Sequence, residues 1–139
     1  MPVTHVPVTV SDAATYTFLA DNSGLTHYVP DLTADCTFTL PTPKAGMWFD
    51  MVYAGDAADA QGWIITTGSD TNYFKGGFVF LDQDGDAIAP ADGDGNSNSK
   101  VTIATPEPGT RIRFESANGT NWYLSGYVLS ATAPVFADQ

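Results

Sequence analysis

Apolar side chains recur at every second position over short runs in this chain, and each run is closed by glycine, proline or aspartate. No segment keeps an apolar 3.6-residue period for helical length. The pattern predicts an all-β domain with strands over 15–19, 27–29, 36–40, 47–53, 63–67, 77–81, 101–104, 110–115 and 121–129. About nine short antiparallel strands suit a single-domain sandwich or jelly-roll-like barrel around one core. Alternation also assigns faces. Met47, Phe49, Met51 and Tyr53 share one side, read as the core side, and Trp48, Asp50 and Val52 share the other. In 77–81, Phe78 and Phe80 oppose Val79 and Leu81, which predicts a strand covered on both sides, with another subunit as one possible cover.

The segment 109–126 reads as a β-hairpin whose turn is Ala117-Asn118-Gly119. Glycine there supplies the left-handed backbone that a side chain resists. The predicted register sets Phe114 against Trp122 and Ile112 against Leu124 on one face, and Arg113 against Tyr123 on the other.

The 139 residues suffice for one domain with a real core, and 43% hydrophobic content is a globular value. Five Lys and Arg against sixteen Asp and Glu give a formal charge of −11. Such a surface repels phosphate backbones and anionic lipid, so neither nucleic acid nor membrane is an expected partner. The acids are nearly all aspartate, which points to loop chemistry and not to charged helix faces. No apolar run approaches the ~20 residues of a bilayer span, and the amino terminus lacks the signature of a secretory signal. Cys36, the single cysteine, alternates with Phe38 and Leu40 and reads as a small buried strand residue.

Residues 1–14 read as an extended arm preceding a β-domain over 15–139. The first ten carry no carboxylate, lysine or arginine, and Pro2 and Pro7 favour extended backbone. Such an arm is disordered, adds to a sheet edge of its own domain, or lies along a partner. Residues 82–99 form the longest irregular stretch, an acidic loop.

Candidate chemistry is sparse. Asp82, Asp84, Asp86, Asp92 and Asp94 offer hard oxygen ligands for Ca²⁺, but their spacing does not fit an EF-hand, and a solvated loop is the plainer account. His5 and His27 fall in no metal-binding spacing, and no Gly-x-Ser-x-Gly elbow occurs, so neither an enzyme nor a cofactor is expected. Arg111 and Arg113 share a strand face and serve either as an intersubunit bridge or as an exposed pair with Tyr123 beneath Arg113. Trp48 is read equally as core or interface.

Three stretches carry a family resemblance: Thr39-Leu40-Pro41 followed by Ala45-Gly46; Gly62-Trp63-Ile64-Ile65-Thr66; and Gly109-Thr110 leading to Asn121-Trp122-Tyr123-Leu124-Ser125-Gly126. Together they resemble the small decoration, or cement, proteins of tailed-bacteriophage capsids and related virion β-domains. The resemblance implies a homotrimer on the outer capsid surface that ties neighbouring major capsid protein subunits together. Under it, Pro2, Val3, His5, Val6, Pro7, Val8 and Val10 of the arm, with Trp48, Arg111 and Arg113, form the capsid or subunit interface. Similar strings occur in phage fibre heads, so a receptor-binding or carbohydrate-binding module is the alternative.

Overall fold

The computed structural model describes residues 6–139, and the arm positions Pro2, Val3 and His5 lie outside the described residues. Two mixed sheets pack face to face as a sandwich, with no α-helix among the described residues. The strands are β1 (Val8–Thr9), β2 (Thr15–Thr17), β3 (Thr26–Val29), β4 (Cys36–Thr39), β5 (Trp48–Tyr53) and β6 (Trp63–Thr66). They continue as β7 (Phe74–Asp82), β8 (Ala87–Asp92), β9 (Lys100–Ile103), β10 (Arg111–Glu115), β11 (Trp122–Ser130) and β12 (Val135–Ala137). The larger sheet has the order β1-β3-β5-β10-β11-β7-β8, and the smaller β12-β9-β6-β4-β2.

All nine expected strands form, but their pairing differs from the antiparallel expectation: β1 with β3, β3 with β5, β2 with β4, β4 with β6 and β7 with β11 run parallel. For the four pairs among β1 to β6 the cause is the path of the chain. From β1 to β6 it crosses between the sheets at every step, so alternate strands meet in one sheet pointing the same way. The core faces are as the alternation predicts. Met47, Phe49, Met51 and Tyr53 are buried, as are Cys36, Phe38, Trp63, Ile65, Ile112, Phe114, Trp122 and Leu124. The core is dense in rings, with Phe49 5.1 Å from Phe18 and 5.9 Å from Trp122.

The hairpin of β10 and β11 forms with its faces as predicted and its register displaced by two residues: Phe114 pairs with Leu124 and Arg113 with Ser125. Ser116 spends its backbone on β5's approach, donating to Met47 and accepting from Gly46, and Trp122 donates to Tyr73. The Asn118 side chain then closes a wider turn by accepting from the N–H groups of Thr120 and Asn121. The acidic stretch is also not one loop. Ala87–Asp92 pairs antiparallel with β7, leaving a short tip over 83–86 and a second loop over 93–99. The Ala-Ile-Ala-Pro-Ala run of β8 has weak strand propensity of its own, and its pairing with β7 supplies what the local sequence does not.

Of the routes open to the arm, residues 8–10 take the sheet edge of their own domain. Val8 and Thr9 pair with β3, and Val10 is buried in the core with its N–H bonded to Tyr28.

Candidate functional site

The two outward faces of the sandwich differ in chemistry. On the smaller sheet the outward rows read Thr15-Thr37-Ile64-Thr102 and Thr17-Thr39-Thr66-Lys100, a threonine surface. On the larger sheet one row crosses six strands as Tyr28-Val52-Arg111-Tyr127-Val79-Pro90. Tyr127 and Val79 are 47% and 46% exposed, and Tyr28, Tyr123 and Ile88 are exposed too. Among the described residues Val79 is left exposed and Leu81 half-buried, whereas Phe78 and Phe80 on the other side of the strand are buried.

At the middle of this face sits a charge that water barely reaches. Asp50 points outward from β5, yet its side chain is only 3% exposed, because Arg111 and Arg113 of the neighbouring strand close over it. Arg113 donates through Nε to Oδ1 at 2.6 Å and through Nη2 to Oδ2 at 3.0 Å, and Arg111 Nη2 donates to Oδ2 at 3.1 Å. Burial alone would raise the carboxyl's pKa; the two guanidiniums, Arg113 ahead of Arg111, outweigh it and hold it below the usual value. Arg113 also lies over the Trp48 ring, 4.2 Å from its centroid, and Tyr123 does not serve as its platform. The turn before β3 holds the Trp48 backbone: its main-chain N–H donates to Ser23 Oγ and its carbonyl accepts from the Gly24 N–H. Both arginines thus have a partner within the chain, and Trp48 is neither core nor free but wedged half-buried beneath Arg113.

Three shallow depressions adjoin around this cluster, with volumes of about 430, 420 and 370 Å³. The first runs from Val6 and Pro7 past Tyr28 to Trp48, Arg111 and Arg113, so two arm residues from the expected interface set reach the same surface as the arginines. Its charged lining is one aspartate and two arginines, a local excess of one positive charge in a chain of −11.

The five loop aspartates do not converge. Asp82 accepts from the N–H groups of Asp84 and Gly85, and Asp94 accepts from Asn96, Ser97 and Asn98 across a separate turn. Those bonds, the Ser97 backbone first, hold the exposed Asp94 well below the usual carboxylate range. Among the described residues no three His, Cys, Asp or Glu side chains are placed to hold a metal ion. His27 lies in the core among Phe18, Phe49 and Tyr16, its Nδ1 bonded to the Leu25 carbonyl and its Nε2 without a partner. Burial lowers its pKa, against the raising influence of the Leu25 carbonyl and of Asp50. Cys36 is fully buried, and burial, aided by the charge of Asp12, pushes its thiol up to about 11.

Sequence reasoning singled out the two arginines but missed Asp50. Its signal was present: a carboxylate in the middle of an apolar strand requires a cationic partner, and two of the chain's five cations lie together on one other strand. No protein-family model matches the chain, and a search of curated proteins finds no match.

Proposed function

We propose that this chain is a virion structural protein, a decoration protein that seats on the outer capsid surface as a homotrimer and ties neighbouring major capsid protein subunits together. The observation that carries the reading is the outward face of the larger sheet, where Tyr127, Val79 and Pro90 form an exposed apolar and aromatic row across β11, β7 and β8. Contiguous apolar surface of this kind marks an interaction site. Adhesion requires no bond to be broken. Binding the assembled shell and not its free subunits, such a protein stabilises the shell by mass action, and several weak contacts per trimer act together.

The test counts copies on purified virions and measures cosedimentation of the isolated protein with bare shells. Hundreds of copies and saturable cosedimentation support decoration; absence from the virion defeats it. The arm's share is measured by deleting residues 2–7, which leaves β1 and the buried Val10 in place. Loss of shell binding by this truncation supports an arm contact, and undiminished binding removes the arm from the interface. The three exposed tyrosines, Tyr28, Tyr123 and Tyr127, favour a second reading as a receptor-binding or carbohydrate-binding module, since phenol rings stack on sugars. A few copies at the tail, with glycan binding by the isolated domain, would select it.

A further inference from the structure

We infer that the groove beside Arg111 receives the acidic tip of the β7–β8 hairpin from a second copy of this chain, in a head-to-tail contact. The groove and the tip are complementary in both charge and apolar content. Arg111 is 51% exposed and shares Asp50 with Arg113, so the groove carries one positive charge in excess. Around that charge stand Val6, Pro7, Leu25 and Tyr28. The tip presents Asp84 and Asp86, both exposed, followed by Ile88, which at 78% is the most exposed large hydrophobic side chain among the described residues. Carboxylates beside a protruding isoleucine match a guanidinium beside an apolar wall.

Topology makes the contact intermolecular. The groove is lined by Val6 and Pro7 ahead of β1 and by β3, β5 and β10, whereas the tip belongs to β7 and β8 at the opposite edge of the same sheet, with β11 between. A hairpin paired at one edge cannot fold back across its own sheet, but it can reach the groove of a neighbour.

Electrostatics also selects this surface. The outward positions of the larger sheet hold three of the five cations, Lys75, Arg111 and Arg113, balanced by Asp50, Asp92 and Glu115. The rest of the chain keeps two cations and thirteen carboxylates, so copies repel one another through every other side. A contact that joins two different patches closes a ring or continues as a filament, and closure is what the homotrimer requires.

The experiment is sedimentation equilibrium of the full chain. The wild type is expected to form a discrete closed oligomer. Asp84→Lys with Asp86→Lys lowers the formal charge from −11 to −7, which by overall repulsion alone would strengthen association. The head-to-tail contact predicts the opposite, a loss of at least about tenfold in association. Adding Arg111→Glu to that variant is expected to recover the oligomer, with circular dichroism verifying the fold throughout. A monomeric wild type, association of the lysine variant equal to or tighter than wild type, or no recovery by Arg111→Glu overturns the assignment. The outcome is separable from the decoration reading: a monomer that still binds shells defeats the ring alone, and a ring that binds no shell defeats decoration alone.

Discussion

Asp50 and its two arginines form an asymmetric ion cluster, and the asymmetry sets the order of stability among variants. The Asp50 side chain is 3% exposed whereas the side chains of Arg111 and Arg113 are 51% and 41% exposed. Asp50→Asn leaves two cations that already reach water, and the amide keeps one acceptor, so the expected loss is about 1–2 kcal/mol. Removing both arginines strands a buried carboxylate. Breaking a fully buried pair costs about 3–5 kcal/mol, and the half-exposed arginines place this variant near the low end, about 3 kcal/mol.

The pH dependence should invert between the two proteins. In the wild type the Asp50 pKa is depressed, so its contribution is complete above the unfolded value near ~3.9 and fades as pH falls through the folded value. Without the arginines burial raises the folded pKa above ~3.9, the folded state takes up the proton first, and stability recovers as pH falls toward that value. Urea unfolding of wild type, Asp50→Asn and Arg111→Ala/Arg113→Ala near pH 7 and near pH 4.5 measures both effects. A double variant that loses no more than Asp50→Asn at neutral pH, or whose deficit against wild type does not shrink in acid, would refute the reasoning.

Three further outcomes follow from individual side chains. The lowered His27 pKa makes its neutral form part of the fold, so stability present above ~6.5 declines as pH falls below it; His27→Phe should flatten that decline in thermal melts between pH 7 and 5. Gly126 sits at φ +116°, where an added Cβ would lie 2.2 Å from the Arg111 carbonyl oxygen. Gly126→Ala should therefore lose at least about 2 kcal/mol in denaturant titration. With its thiol buried and raised to about 11, Cys36 should resist Ellman's reagent at pH 8 in the folded protein and react fully in urea.

Much of this fold is written in short-range pattern. Alternation over 47–53 separates Met47, Phe49 and Met51 from Trp48 and Asp50 in the sequence as it does in the sandwich. Parallel pairing is not local in the same way. It depends on β3 and β5 crossing to the sheet opposite β4, a choice no single strand encodes. The two-residue displacement of the β10–β11 register preserved every face and so left no hydrophobic signal, while Ser116 and Asn118 decided it through backbone and side-chain bonds. The same holds for the candidate site: Arg111 and Arg113 stand out by rarity, but Asp50 is 61 and 63 residues from them, and only the pairing of β5 with β10 makes one cluster of the three.

Under the proposed decoration role, the outward face of the larger sheet, and not the threonine face, is the surface that docks on the shell. Shell binding by Val79→Asp and by Thr15→Asp, two exposed strand positions on opposite faces given the same added charge, tests it most directly. The account predicts at least about tenfold weaker binding for Val79→Asp, as burying an unpaired charge at an interface demands, and wild-type binding for Thr15→Asp. Equal binding by both variants, or a loss confined to Thr15→Asp, would contradict it.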